Sequence, residues 1–156
     1  MDDQNLPAEG RGPGATTLVR YRDDPEPAQE PAVTVDACCE QTNATAVRIE
    51  PGDDASELLP YLDRLALIEV NFPAFGDGRG YSSARILREA GYTGELRAVG
   101  DVLVDQVAYM RRCGFDAFEP DGPLDKDDLE AALNRWPEVY QEAADTRTPI
   151  WSKRHA

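Results

Sequence analysis

From residue 46 onward, the sequence alternates between short apolar segments and longer segments with helical spacing. The apolar segments are typical of β-strands and lie at residues 46–50, 66–72, 95–99 and 115–119. Helical segments follow them in turn, at residues 53–65, 82–90, 102–113 and 125–136. Strands that alternate with helices of this length are joined by right-handed crossovers and form a parallel sheet. The alternation therefore predicts an α/β domain.

Two arrangements of the predicted sheet fit this order. The first is a small three-layer sheet of about four parallel strands with helices on both faces. The alternative is half of a (β/α) barrel, opened flat or paired with a second copy. The segment at residues 66–72 is almost wholly apolar and ends before Pro73, as expected of a strand that is covered on both faces. We therefore expect the three-layer sheet.

The predicted α/β domain spans residues 46–142, and the rest of the chain differs from it in composition. Residues 1–45 form an acidic arm punctuated by glycine and proline, which we expect to be weakly ordered. Two β-prone pieces of this arm, at residues 17–21 and 32–36, could pair as an edge hairpin. Residues 143–156 are interpreted as a C-terminal tail.

The charge of the chain limits its partners. The formal net charge is −14 at pH 7, which opposes attraction to nucleic acid or to anionic membranes. No apolar run approaches the roughly 18 residues of a membrane span, and the acidic N-terminus lacks the apolar core of a signal peptide. We therefore expect a cytoplasmic protein without nucleic-acid or membrane partners. An acidic surface also suits a basic partner protein, although a simply solvated surface explains the same charge.

Cysteine and histidine are too few for several common kinds of catalytic site. The cysteines are Cys38, Cys39 and Cys113, which form no C-x-x-C pair, and the one histidine is His155. This excludes zinc clusters of the usual spacing, Ser-His-Asp triads and four-cysteine iron–sulfur sites. We expect no metal site. No cofactor is evident, although an open α/β sheet can hold a flavin without a sequence fingerprint.

The most informative loop follows the second predicted strand and reads FPAFGDGRGYSSAR, residues 72–85. Ligands of open parallel sheets bind beyond the carboxyl ends of the strands, where such loops gather. Arg79 could hold an oxyanion through two bonds, beside the exposed amide groups of a helix start at Ser82. The loop after the next strand should reach the same edge. The ligand-binding candidates are Gly78, Arg79, Gly80, Ser82, Ser83, Gly100 and Asp101.

The catalytic candidates on this edge are Asp77 and Asp101, either of which could act as a general acid or base toward a ligand held by Arg79. The same residues also have a structural interpretation. Asp77 could close an Asx-turn, a serine could cap the helix, and Arg79 could pair with either carboxylate. The glycine spacing is neither a P-loop nor the G-x-G-x-x-G dinucleotide fingerprint. The loop thus predicts a polar-ligand site without defining a reaction.

Longer motifs resemble those of family 934 of the bacterial domains of unknown function. They are the D-G-R-G-Y-S run at residues 77–82, the G-D-V-L-x-D-Q run at residues 100–106 and the R-C-G-F-D-A-F run at residues 112–118. The resemblance covers about residues 46–142. One position departs from it, because relatives tend to have aspartate before the Phe-Pro pair where this chain has Asn71.

The resemblance implies a role in sulfur assimilation. Genes of that family commonly lie beside those for assimilatory sulfite reductase and phosphoadenosine phosphosulfate reductase, and members are often labelled as oxidoreductases of sulfite reduction. We therefore expect an accessory protein that supports the sulfite reductase hemoprotein in sulfite reduction and cysteine biosynthesis. The alternative is a small enzyme or binding module that recognises an oxyanion or a phosphorylated ligand at residues 77–83. Whether the chain is itself an enzyme stays open at this point.

Overall fold

The computed structural model describes residues 18–27 and 31–155, which form one sheet and a set of helices. The strands are β1 (Val19–Arg20), β2 (Val33–Thr34), β3 (Ala46–Ile49), β4 (Leu67–Phe72), β5 (Glu95–Gly100) and β6 (Ala117–Pro120). The α-helices are α1 (Val35–Glu40), α2 (Arg79–Glu89), α3 (Val104–Cys113) and α4 (Lys126–Asn134). Two 3-10 helices, η1 (Ala55–Arg64) and η2 (Ile150–His155), complete the described elements.

The strands form one sheet in the order β1-β6-β5-β4-β3-β2. All neighbouring strands are parallel except β1, which is antiparallel to β6. The predicted α/β class with a parallel sheet is therefore confirmed, and the sheet has six strands because the arm adds one at each edge. The edge hairpin is wrong, since its two pieces became β1 and β2 at opposite edges of the sheet.

The helices that connect the parallel strands, α1, η1, α2 and α3, lie in one layer against one face of the sheet. Strands β2 to β6 lie side by side in the same order as in the sequence. Right-handed crossovers between successive parallel strands therefore place every connecting helix on the same side of the sheet. The helices contact one another in the same sequence, α1 with η1, η1 with α2, α2 with α3 and α3 with α4. The expected second helical layer is not formed by these residues, and the half-barrel alternative matches the observed order.

The two faces of the sheet differ in chemistry because successive side chains of a strand point to opposite sides. The helix-facing side is apolar and forms the core, including Val47, Ile68, Leu96 and Phe118, all fully buried. The other side is charged. Arg48 of β3 lies beside Glu69 of β4, and Glu69 lies beside Arg97 of β5.

Ion pairs cover this charged face. Arg48 binds Glu69 at 2.8 Å, and Arg97 binds Glu119 of β6 at 3.2 Å. Glu26, which follows β1, comes within 3.8 Å of Arg97, so the chain after β1 passes over this face. The carboxylates of this face are thereby matched by arginines of neighbouring strands.

Local signals explain most of the helix ends. Asp54 caps η1 by accepting a hydrogen bond from the Ser56 amide at 2.9 Å, and Asp125 caps α4 in the same way. Gly114 ends α3 in the left-handed region, with a φ of 118°. Helix α2 begins at Arg79 instead of residue 82. Its N-cap is Gly78, which makes no side-chain capping bond. The capping serine expected from the sequence is therefore not used.

Candidate functional site

A cavity of about 260 Å³, with both apolar and charged residues in its lining, lies where the β4–α2 loop meets the loop after β3. Arg79, Gly80, Ser82 and Ser83 line it from the first turns of α2, and residues 50–55 line it from the other side. Both loops follow the carboxyl ends of adjacent parallel strands, which is why they meet at one edge of the sheet. The structure thus brings four of the predicted ligand-binding residues to one cavity.

Arg79 is paired with Asp77 at the mouth of this cavity. Its Nε and Nη2 atoms donate to the two carboxylate oxygens of Asp77 at 3.0 and 2.7 Å. The Arg79 amide also donates to Asp77 Oδ1 at 3.2 Å, which closes an Asx-turn. The Arg79 side chain remains 65% exposed, so its guanidinium lies at the surface and is not enclosed by carboxylates. A ligand can reach it by sharing the guanidinium with Asp77.

The same pairing determines the protonation state of Asp77. Hydrogen bonds from the Arg79 side chain and amide lower the pKa of Asp77 from 3.8 to about 2. A carboxylate with so low a pKa is ionised throughout the physiological range and is a weak general base, because efficient proton transfer needs a pKa near the working pH. The geometry therefore favours positioning of Arg79 over proton transfer as the role of Asp77.

The opposite wall of the cavity is acidic and was missed as a site feature in the sequence. Asn71 Nδ2 donates to Glu50 Oε2 at 2.7 Å, the Glu50 amide donates to Asp53 Oδ2 at 2.8 Å, and Asp54 caps η1. Glu50, Asp53 and Asp54 all line the cavity opposite Arg79. The signal was their position directly after a strand, at the carboxyl edge where ligands of parallel sheets bind.

The balance of charge in the lining restricts the ligand. Three carboxylates face a single guanidinium that is already paired, so a small dianion alone would meet net repulsion. A ligand that places an anionic group near Arg79 and hydroxyl or ammonium groups toward the acidic wall matches both sides. The wall explains why Asn71 suits this chain, since its amide donates where an aspartate would repel Glu50.

Asp101 lies outside this cavity and binds the backbone of the β4–α2 loop. Its Oδ2 accepts a hydrogen bond from the Phe75 amide at 2.9 Å. The neighbouring Gly100 has a φ of 94°, and a Cβ there would come within 2.4 Å of the Phe72 carbonyl oxygen. Gly100 lines a second, more open polar cavity of about 480 Å³, together with Arg48, Asn71 and Glu119. Gly100 and Asp101 are therefore separated from the cavity beside Arg79.

The position of Gly80 has a packing reason that is independent of any ligand. A Cβ on Gly80 would lie 2.6 Å from Phe72 Cζ and 2.8 Å from Val70 Cγ1. Helix α2 therefore approaches β4 so closely that only glycine fits at this point. Ser83 follows on the same helix and is buried, whereas Ser82 is exposed. The serines belong to the second turn of α2 and do not start it.

The cysteines show no reactive environment. Cys38 and Cys113 are buried, and burial raises the pKa of the Cys113 thiol, which lowers its thiolate fraction. Within residues 18–27 and 31–155, no three His, Cys, Asp or Glu side chains lie close enough to hold a metal ion together. Over the same part of the chain, every helix is too short or too polar to span a lipid bilayer.

The fold and the cavity define an α/β protein whose parallel sheet ends at a cleft between two βα loops. The chain belongs to the family described as "Bacterial protein of unknown function (DUF934)", which matches residues 46–151, more than half of its length. The resemblance inferred from the three motifs is thereby confirmed. That description names no activity. Comparisons with curated proteins and with solved structures found no significant match.

Proposed function

We propose that this protein is an accessory component of assimilatory sulfite reduction that binds and supports the sulfite reductase hemoprotein. The motifs of residues 77–82, 100–106 and 112–118 imply this process by resemblance. The observation that supports a binding role is the exposure of a large aromatic residue on the β4–α2 loop, since Phe75 is 55% exposed. Aromatic residues are enriched at protein interfaces, where their burial provides much of the binding energy.

The experiment is a direct binding measurement with the sulfite reductase hemoprotein of the same bacterium. The two purified proteins are mixed and analysed by sedimentation velocity and by isothermal titration calorimetry. We expect a complex with a Kd in the micromolar range or below, and slower growth without cysteine when the gene is deleted. Absence of a complex, together with normal growth of the deletion strain on sulfate, would contradict the proposal.

A second candidate function is recognition of an oxyanion or a phosphorylated ligand in the cavity beside Arg79. The cavity, its exposed guanidinium and its acidic wall favour this candidate. Arg79 would hold the anionic group, and Glu50 or Asp53 would accept hydrogen bonds from hydroxyl or ammonium groups of the same ligand. Nothing in this arrangement defines a reaction, so the site fits a binding module and a small enzyme equally well.

Thermal unfolding tests this second candidate. Sulfate, sulfite, phosphate and a sugar phosphate are each added to the wild type and to Arg79→Ala. We expect the sugar phosphate to raise the Tm most, because it alone offers hydroxyl groups to the acidic wall, and the increase to be lost in Arg79→Ala. Arg85→Ala is the matched control, since Arg85 lies on the same helix, pairs with Glu89 and does not line the cavity. Equal increases in all three proteins would eliminate a site at Arg79.

A further inference from the structure

Phe75 is fixed through its backbone while its side chain stays in solvent. Its amide donates to Asp101 Oδ2 at 2.9 Å, and its carbonyl oxygen accepts from Gln106 Nε2 at 2.8 Å. Gln106 is anchored in turn, because its Oε1 accepts from the Leu103 amide at 3.3 Å. Phe75 as a whole residue is 55% exposed. Asp101 of the next βα loop and Gln106 of the first turn of α3 therefore hold the backbone of a residue that is itself partly exposed.

Such a fixed and exposed ring is suited to binding. Ordering a loop and its side chain normally subtracts from the free energy of association, and a backbone that is already held avoids part of that loss. Leu103, which follows β5, is 41% exposed and belongs to the same hydrogen-bonded unit through Gln106. Phe75 and Leu103 together give this edge of the sheet a small apolar centre.

Acidic side chains surround this centre. Asp101 binds the Phe75 amide, Asp77 follows Phe75 by two residues, and Asp105 precedes Gln106. The Asp121 amide donates to the Gly100 carbonyl oxygen at 2.9 Å, which places Asp121 beside the same loop. We call Phe75, Leu103 and these four aspartates the Phe75 surface. Arg79, paired with Asp77, and Arg135, 3.8 Å from Asp105, are cations at its border, so the four aspartates exceed these two arginines and leave an excess of negative charge.

The other exposed aromatic groove gives no such indication of a partner's charge. It lies between α3, α4 and the following segment and includes Tyr109, Trp136 and Tyr140. Around it Arg112 pairs with Asp145 at 3.0 Å and Lys153 with Glu138 at 2.7 Å, and Arg147, which also lines it, donates to the Trp136 carbonyl oxygen at 2.9 Å. These charges give the groove no excess of carboxylates, unlike the Phe75 surface.

We propose that the Phe75 surface docks a basic protein surface and that the Phe75 ring inserts into an apolar pocket of that partner. Asp101 and Gln106 are positioning residues for this contact, since they act on the ring through the Phe75 backbone. Apolar anchors at the centre of an interface provide affinity, and the surrounding charges steer association and exclude acidic partners. This inference rests on the proposed function, which supplies the hemoprotein as the partner for the test.

The test compares Phe75→Ala with Trp136→Ala, a control that removes a comparably exposed aromatic ring from the other groove. Binding to the purified sulfite reductase hemoprotein is measured by calorimetry, with circular dichroism to verify folding. We expect Phe75→Ala to weaken the affinity by at least about tenfold. Trp136→Ala should change it by less than about twofold.

A charge reversal provides a second measurement that does not depend on the Phe75 variant. Asp105 is exposed and away from the core, so Asp105→Lys should fold normally. We expect it to slow association with the hemoprotein by several-fold at low salt and by less at high salt. Faster association of Asp105→Lys would overturn the proposal that the partner surface is basic.

The outcomes separate this inference from the proposed function. If wild type and Phe75→Ala bind equally well, and Trp136→Ala loses binding, then the aromatic groove is the interface and the Phe75 surface is refuted, while the accessory function stands. If the wild type itself does not bind the hemoprotein, both proposals fall. If only Phe75→Ala and Asp105→Lys are impaired, the Phe75 surface is established.

Discussion

The guanidinium of Arg79 donates hydrogen bonds to both carboxylate oxygens of Asp77, at 3.0 and 2.7 Å, across a turn of only two residues. Asp77 is thereby kept ionised, and Arg79 is held at the mouth of the cavity that its helix lines. The pair is local in sequence, so it belongs to the loop itself and does not require a particular arrangement of distant elements.

The pKa of Asp77 gives a pH-dependent prediction. Hydrogen bonding to Arg79 lowers this pKa from 3.8 to about 2. A lowered carboxyl pKa contributes stability that is present above the unfolded value and is lost as the pH falls toward 2. NMR titration of the Asp77 carboxyl should therefore show a midpoint well below that of an exposed aspartate, returning toward its ordinary value in Arg79→Ala. An unchanged midpoint in that variant would contradict the pairing in solution.

Gly80 and Gly76 should respond differently to the same substitution. Gly80→Ala places a methyl group within 2.6 Å of the Phe72 ring, and overpacking of this kind costs roughly 1–3 kcal/mol. Gly76→Ala, in the same loop, meets nothing within 4 Å and should stay within about 0.5 kcal/mol of the wild type. Urea denaturation measures both free energies of unfolding. Equal values would show that α2 moves away from β4 without cost.

Asp116 should be far more important for stability than an exposed acidic partner. It accepts hydrogen bonds from Arg22 Nη1 at 2.6 Å, Arg88 Nη2 at 2.8 Å and the Leu96 amide at 2.9 Å. Asp116→Ala leaves these donors without their carboxylate in a buried setting, which costs about 3–5 kcal/mol. Glu89→Ala breaks the exposed pair with Arg85 and should cost less than about 1 kcal/mol. Thermal or urea unfolding of the two variants distinguishes these values.

The hydrogen bond from the Phe75 amide to Asp101 predicts protection from hydrogen exchange. A hydrogen bond from an amide to a carboxylate contributes about 1.5–3 kcal/mol, so Asp101→Ala should speed exchange of the Phe75 amide by roughly tenfold or more. Asp105→Ala serves as the control, because its carboxylate accepts no hydrogen bond from this loop. Exchange is measured by NMR. Equal exchange rates of the Phe75 amide in the two variants would contradict its hydrogen bond to Asp101.

The sequence predicted some parts of the site better than others. The loop at residues 72–85 was identified from its glycines and from its place after a strand, and the Asp77–Arg79 pair was among the alternatives it raised. Glu50 was assigned only to the end of a predicted strand, and Asp53 and Asp54 only to the start of a predicted helix, although all three line the same cavity. Arg79 lines the same cavity but is more than 20 residues away along the chain. No local sequence pattern indicates that residues so far apart come together.

Asp101 illustrates the opposite case. Its place directly after a strand made it a candidate for acid–base chemistry, yet its carboxylate binds the Phe75 amide from the neighbouring loop. Residue type and position indicate that a carboxylate reaches the edge of the sheet. Which donor it meets there depends on how two loops pack, and that depends on the register between β4 and β5.

The amino-acid sequence by itself determined the α/β class, the parallel pairing of the main strands and the loops at their carboxyl ends, because hydrophobic period and turn residues are local properties of the chain. Only the tertiary structure decided that β1 and β2 occupy opposite edges, that the helices lie on one face, and that the second face is a layer of arginine–carboxylate pairs. These features depend on strand order and on contacts between residues far apart in sequence, for which short-range periodicity contains no information.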